Sequence, residues 1–511
     1  MLETAELSPT LESSQIYFDE ESPKAKDWQR ILNKSNECQK NLFINDSVHG
    51  HIKIPALCQA VIDTAQFDRL RGIKQLGNLH YVFPCAKHTR WEHSVGVMHL
   101  AGEFINALRH PDRRQPDCCD NRDQLCVMLA GLCHDLGHGP CSHLWESLVA
   151  EARPGFHWRH EKTSIDMLDH IIKENNLMPV FESHGLVERD IIFIKELIYG
   201  PLEENGSYIG RGPEKHFLYE IVANKISSID VDKWDYILRD NKAMHVGVTF
   251  DYKRFILMSY LKVVNGKTRL VLAEKEAKSI GDLFDDRARL HEHGYQHRVN
   301  KKIDRMVLDA LLSADKHIDV CYDREGNPVS LSEACNDMYA FSQLTDDYLL
   351  NSIRHSRKPE LQGARDILHK VATRRLYKII GTVECVVQSD EFISNNLQEI
   401  QAGLQDKIRQ EAKLLKPNDV VLTLKHISSG LGRRVKPVER VLFVDNHGQC
   451  KNYNEKYLSQ LKQKDVEAIY VILRREGDEP LKEGAALVHA WYQQTFDKDN
   501  YHYTSDHSVD V

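Results

Sequence analysis

The chain has 511 residues, 41% hydrophobic and 28% charged, with a formal net charge of −8. That length suffices for two or three domains with separate cores, and the acidic balance gives no general attraction to nucleic acid. No apolar run reaches the roughly 18 residues of a membrane span, and Met1-Leu2-Glu3-Thr4 lacks the basic start and apolar core of a signal peptide. Twelve cysteines with no C-x-x-C pair read as reduced, mostly buried thiols. The expected location is therefore nuclear or cytoplasmic, not secreted and not membrane-bound.

Residues 1–40 read as a flexible polar arm, because the first 21 carry six acidic residues and no basic one. From 41 to 345 helical periodicity dominates. Trp91 to Leu108 places apolar residues at 95, 97, 98, 101, 104, 105 and 108 on one broad face. Leu125 to Asp135, Ile191 to Tyr199, Phe217 to Lys225, Val231 to Arg239 and Ile303 to Leu312 read as further helices. Beyond 345 the texture shifts to short runs rich in valine and isoleucine, at Leu376 to Val386, Val420 to Ile427, Arg440 to Val444 and Val466 to Leu473. The expected fold is mainly α: a helical core at 41–345, a smaller mixed α/β lobe at 346–494 and a polar tail at 495–511.

The densest chemistry lies in Cys133-His134-Asp135-Leu136-Gly137-His138-Gly139-Pro140-Cys141-Ser142-His143. An imidazole beside a carboxylate makes a mixed nitrogen and oxygen metal site. The preceding apolar run predicts a buried helix, and the glycines and proline predict its stop near Gly137 to Pro140. His93 opens the amphipathic helix upstream. Downstream, Asp232, Asp235, Tyr236 and Asp240 share one helical face, with Trp234, Ile237 and Leu238 on another. His93, His134, Asp135 and Asp232 together suit iron, zinc or manganese better than calcium, which prefers all-oxygen coordination.

A histidine, a histidine-aspartate pair and a distant aspartate resemble the signature of HD-domain metallophosphohydrolases. The surrounding words are more specific: Ile44-Asn45-Asp46, Val48-His49-Gly50-His51, Phe67 with Arg69-Leu70-Arg71, and Ile73-Lys74-Gln75-Leu76-Gly77. Ala130 to Pro140, Asp230 to Tyr236, Asp251-Tyr252-Lys253-Arg254-Phe255 and Tyr295-Gln296-His297 complete the set. From about 41 to 480 the chain resembles the deoxynucleoside triphosphate triphosphohydrolases. The vertebrate form carries a sterile-alpha-motif domain ahead of its HD domain, which the 40 polar residues here are not expected to form.

That resemblance implies roles. His93, His134, Asp135 and Asp232 match the metal ligands, and a Mg2+ ion would travel with the nucleotide phosphates. His138, His143 and His160 fall beside the substrate phosphates as acid or charge-balancing groups, with Glu146 where the family usually has an aspartate. Arg90, Lys233 and Arg287 match phosphate-binding cations. Gln75, Leu76, Asp240 and Tyr295 match positions that hold the deoxyribose, Gln296 matches a substrate-binding position, and Tyr236 adds a bond to phosphate. A tyrosine packed against C2′ leaves no room for a 2′-hydroxyl. The implied reaction is attack of water at the α-phosphorus, giving a deoxynucleoside and tripolyphosphate.

The family also assembles into tetramers when GTP or dGTP-type activators bridge subunits, and is otherwise monomeric or dimeric. It has an antiviral association. Asp63, Arg71, Val82, Arg254, Lys275, His297, Arg298, Arg374 and Lys378 fit activator positions. Leu42 replaces a lysine, Asp68 a glutamine, Met258 a phenylalanine and Ala273 an arginine, so weaker or altered activator binding is expected. Arg433, Arg434, Lys436 and Arg440 form a basic cluster that would touch single-stranded nucleic acid weakly, although such clusters are usually solvated. The competing readings are an HD phosphodiesterase or alarmone hydrolase, which needs no deoxyribose gate, and a nucleotide-sensing or nucleic-acid-binding scaffold without turnover.

Overall fold

The computed structural model describes residues 42–110, 118–385, 393–427, 437–445, 447–452, 466–498 and 500–505. The arm at 1–40, Arg433, Arg434, Lys436 and the end of the tail lie outside the described residues. The chain starts with a hairpin of β1 (Leu42–Asp46) and β2 (Gly50–Ile54). Its turn is set by Asp46, whose Oδ1 accepts the backbone N–H of Val48 and of His49, each at 2.8 Å.

Counting helices of nine residues or more, the core follows with α1 (Arg90–Leu108), α2 (Asn121–Cys133), α3 (Leu144–Ala152), α4 (His160–Glu174) and α5 (Glu188–Tyr199). Then come α6 (Val231–Met244), a hairpin of β3 (Ser259–Val264) and β4 (Lys267–Ala273), α7 (Ala277–Leu290) and α8 (Arg298–Ala314). A glycine lets α1 and α2 approach closely. A Cβ on Gly131 would sit 3.1 Å from the Val97 carbonyl oxygen and 3.2 Å from the Met98 Cα. On the other side of α1, Phe104 packs against Trp234 of α6 with ring centres 5.2 Å apart. Helix α1, which carries His93, and α2, which leads into His134, are thus held by buried contacts, and α6 brings Asp232 to them.

Two local expectations change. Helix α2 ends at Cys133, ahead of the glycines, because Ser164 of α4 intervenes. Its hydroxyl donates to the His134 carbonyl at 2.6 Å and accepts the Gly137 N–H at 2.9 Å, replacing the bonds that would continue the helix. His134 to Gly137 therefore form a turn. Phe217 to Lys225 is not an α-helix either; a 3₁₀ segment runs from Pro213 to Glu220 and the chain then turns. The Asn224 side chain accepts from the N–H groups of Ile226 and Ser227, and Asp230 accepts from Asn224 N–H.

After the core come α9 (Asp346–His355), α10 (Gln362–Ala372), β5 (Lys378–Cys385), α11 (Ile393–Glu411) and β6 (Val420–Ile427). They are followed by β7 (Leu442–Val444), β8 (Cys450–Asn452), β9 (Val466–Leu473), α12 (Asp478–Thr495) and β10 (Tyr501–Thr504). The fold is mainly α, with small sheets concentrated towards the C-terminus. One four-stranded antiparallel sheet has the order β10-β5-β9-β6; the other, β3-β4-β7-β8, pairs β7 in parallel with β4. Sequence texture changes near 345, whereas packing changes later: α9 and α10 belong to the large core, and a second core of Ile380, Val383, Leu404, Ile469, Trp491 and neighbours lies under the first sheet. Tyr501–Thr504, within the stretch expected to be tail, forms the edge strand of that sheet. Among the described residues no helix is long and apolar enough to cross a membrane.

Candidate metal and phosphate site

Three side chains from three helical segments converge: His93 of α1, His134 just past α2 and Asp232 in the first turn of α6. Their candidate ligand atoms all lie within 4.8 Å of one another. His93 Nε2 is 3.0 Å from Asp232 Oδ1 and 3.2 Å from His134 Nε2. Asp135 faces the same space, with one oxygen 3.6 Å from His93 Nε2 and the other 3.4 Å from His134 Nε2. The four residues expected as ligands are thus brought together, two imidazoles and two carboxylates on a buried wall.

The electrostatics of this group are those of a cation site. Burial disfavours a charged His93, yet hydrogen bonds to Asp232 and Asp235 raise its pKa to about 10. His134 is raised in the same way against its burial, by Asp135 and Asp232. Burial works against ionised Asp232 and Asp135 too, but the facing imidazoles, and Arg90 beside Asp135, hold both well below the usual carboxylate range. Such a cluster retains positive charge; a divalent ion satisfies the same field and displaces the imidazole protons.

A second cluster abuts the first. His138 Nε2 lies 3.4 Å from Asp135 Oδ1, and His138 stacks on His160 with ring centres 3.9 Å apart. Glu146 Oε1 accepts from His160 Nδ1 at 2.7 Å and lies 3.4 Å from His143 Nδ1, so the longer glutamate arm reaches both imidazoles. Burial disfavours protonated His160, but Glu146 and Glu161 raise its pKa; buried His138, beside Arg90 and His160, is pushed well below the ordinary value. His143 is exposed. Arg69 fixes the backbone beneath, donating to the carbonyls of Leu136 (3.2 Å) and His138 (2.6 Å).

The expected phosphate cations are each already engaged. Arg90 is buried and donates to Asp135 at 2.5 Å and to Ser142 at 2.9 Å. Lys233 sits 3.3 Å from both Asp230 oxygens, and Arg287 donates to the Tyr236 hydroxyl at 3.0 Å. Around the expected sugar positions, Tyr295 donates to Asp240 at 2.5 Å, and His88 Nε2 lies 2.7 Å from the other Asp240 oxygen. The side-chain oxygens of Gln75 and Gln296 are buried without a hydrogen-bond partner, and Leu76 is half-buried next to Gln75.

The expected activator residues fall into separate groups. Arg374 donates to the Tyr81 carbonyl at 3.1 Å, next to half-buried Val82, and His297 packs edge-on against Phe83 at 6.3 Å, with Arg298 following it at the start of α8. Arg254 pairs with Glu276 (2.9 and 2.6 Å), beside exposed Lys275. Arg71 pairs with Asp68 at 2.9 Å and lies 3.5 Å over the Trp91 ring; Asp63 and Lys378 are exposed. The departures Met258 and Ala273 meet through an Ala273 N–H to Met258 carbonyl bond of 2.9 Å, and Leu42 is half-buried in β1.

Residues that sequence reasoning gave no site role stand behind the metal group. Asp235 accepts from His93 Nδ1 and from His49 Nε2, both at 2.7 Å, and from Arg239, which in turn bonds Asp46 at 2.8 Å. Asp235 was visible as the i+3 neighbour of Asp232 on one helical face. The approach of His49, 186 residues away in sequence, had no such signal.

The HD-domain family model matches residues 90–239. The chain is 41% identical over 425 residues to the deoxynucleoside triphosphate triphosphohydrolase SAMHD1 of Bos taurus, covering 81% of this chain and 71% of that protein. Against the Homo sapiens protein of the same name the values are 42% over 412 residues, 78% and 64%. Against the SAMHD1 homolog of Dictyostelium discoideum they are 39% over 354 residues, 68% and 62%.

Proposed function

The chain belongs to the HD-domain deoxynucleoside triphosphate triphosphohydrolase family, and from that membership we propose how its own residues carry the reaction. Water attacks the α-phosphorus of a dNTP; the bond to the 5′-oxygen breaks, releasing a deoxynucleoside and intact tripolyphosphate. The observation that carries this reading is the convergence of His93, His134 and Asp232, with Asp135 against them. The donor set fits iron, zinc or manganese, and such an ion supplies Lewis-acid chemistry near neutral pH.

The other side chains bind, orient and move protons. Arg90, Lys233 and Arg287 exchange their present partners for phosphate oxygens, the two guanidinium groups in forked geometry and the Lys233 ammonium as a point charge. A Mg2+ ion accompanies the phosphates. Asp240 takes the sugar 3′-hydroxyl, with Gln75, Leu76 and Gln296 around it and Tyr236 reaching phosphate. His143, the exposed member of its cluster, gives a proton to the departing 5′-oxygen. Glu146 bridges it to His160, from which that proton is replaced.

Nucleotide activators of the GTP or dGTP type promote a tetramer through the positions from Asp63 to Lys378 named above. Asp68, which takes up Arg71, weakens that response relative to a glutamine. The reaction is tested by incubating the full chain with each dNTP, GTP and a divalent metal, then separating the products. Tripolyphosphate with a deoxynucleoside supports the proposal. Orthophosphate, pyrophosphate, or nucleotide binding without turnover overturns it.

A further inference from the structure

The Asp235 carboxylate has donors at both oxygens. Its Oδ2 accepts from His93 Nδ1 (2.7 Å) and Arg239 Nε (2.8 Å); its Oδ1 accepts from His49 Nε2 (2.7 Å) and Arg239 Nη2 (2.9 Å). Asp235, Arg239, His93 and the His49 side chain are all buried. A carboxylate flanked by a guanidinium is ionised and offers no proton, so each imidazole must donate to it. His93 thereby keeps a proton on Nδ1, and its Nε2, which faces His134 and Asp232, is the nitrogen that would give up its proton to a metal ion.

The supports of Asp235 come from a distant part of the chain. His49 lies on the β1–β2 turn, which Asp46 closes through the N–H groups of Val48 and His49. The free Asp46 oxygen binds Arg239 Nη1 at 2.8 Å, and Lys242 of α6 reaches the Ser47 carbonyl. The hairpin turn therefore clamps the back of α6. There is no slack on the α1 side, where a Cβ at Gly96 would lie 2.0 Å from Asp235 Oδ1. His134 has a simpler support, its Nδ1 donating to the Gly131 carbonyl at 2.8 Å.

We propose that Asp235 is a positioning residue for the HD metal site, setting the tautomer and orientation of His93, and that His49 on the β1–β2 turn holds Asp235 in place. The proposal rests on the metal-site reading given above. Partners of this kind on the far nitrogen of a ligating histidine raise its basicity and restrict its orientation, and their loss typically weakens metal binding by about 10- to 100-fold.

The test uses the full-length chain loaded with Co2+, read by competition with a chromogenic chelator and by the paramagnetically shifted proton spectrum. The variants are Asp235→Asn, His49→Ala and, as a control on the metal reading, His134→Ala. Wild type is expected to show two exchangeable shifted N–H protons, from His93 and His134. Asp235→Asn is expected to lose or rapidly exchange one of them and to bind Co2+ about 10- to 100-fold more weakly. His49→Ala, which leaves Asp235 and Arg239 intact and is less prone to unfold, is expected to show the same change to a smaller degree. Both shifted protons and wild-type affinity in Asp235→Asn would overturn the proposal while leaving the metal site standing. Undiminished Co2+ binding by His134→Ala would overturn the metal reading itself, and the proposal with it.

Discussion

Tyr295 donates its hydroxyl proton to Asp240 at 2.5 Å, so the ring expected to exclude a ribose is anchored by the carboxylate expected to hold the sugar. His88 binds the opposite oxygen of the same carboxylate at 2.7 Å. Sugar selection is then expected to depend on a fixed ring. Tyr295→Ala should raise hydrolysis of GTP relative to dGTP by about 10-fold, the discrimination typical of a small apolar gap. Tyr295→Phe keeps the ring and should preserve discrimination while lowering kcat/KM, because Asp240 loses a donor. Parallel kcat/KM measurements on GTP and dGTP check both outcomes.

The His160–Glu146 pair sets a pH dependence. Glu146 raises the His160 pKa, so His160 stays protonated further up the pH scale than an isolated imidazole. Glu146→Gln removes that effect, and the protonated fraction then disappears at lower pH. The alkaline limb of the kcat–pH profile should therefore move towards acid, and kcat should fall on the order of 10²-fold. An unmoved alkaline limb would count against His160 as the proton source.

Removing a ligand should uncouple folding from chemistry. Asp232 is the most accessible of the four expected ligands, its side chain 30% exposed, so Asp232→Asn is tolerated by the packing around it. Metal content, measured by elemental analysis, should drop well below one per chain. dNTP hydrolysis should fall by roughly 10²-fold or more, with the helical circular dichroism retained.

Gly96→Ala probes the space behind His93. Alanine gains up to about 1 kcal/mol of helix propensity over glycine. Its Cβ, however, would lie 2.0 Å from Asp235 Oδ1 and 2.5 Å from Arg239 Nη2, an overpacking that costs roughly 1–3 kcal/mol in well-packed cores. The clash is the larger effect, so thermal denaturation should show a lower Tm than wild type, accompanied by weaker metal binding.

Asp68→Gln tests the activator expectation. In the present chain Asp68 and Arg71 form an exposed pair at 2.9 Å. Freeing Arg71 should lower the GTP or dGTP concentration needed for oligomerisation several-fold, an electrostatic gain that shrinks with added salt. Sedimentation velocity across a nucleotide titration reads it directly.

The convergence of the candidate ligands was legible in the sequence because metal chemistry restricts residue type: His134-Asp135, an imidazole near the start of one helix and a carboxylate in the first turn of another. The helices α1, α5, α6 and α8 were legible for a similar reason, since a 3.6-residue period is local, whereas α4, α7, α11 and α12 are not among the expected helices. What escaped was decided by contacts between distant segments. Ser164 ends α2 early by taking the His134 carbonyl, and nothing within α2 announces it. The His49–Asp235 contact and the pairing of β7 with β4 depend on how the hairpin and the C-terminal segment return to the core. Lone hydrogen-bonding residues leave no periodic trace.

Attack of water at the α-phosphorus with cleavage of the bond to the 5′-oxygen would leave the solvent oxygen on phosphorus. Hydrolysis of a dNTP in ¹⁸O-enriched water, with mass analysis of both products, tests it most directly. One ¹⁸O atom is expected in tripolyphosphate and none in the deoxynucleoside. Label in the deoxynucleoside 5′-hydroxyl, or in released orthophosphate, would contradict it.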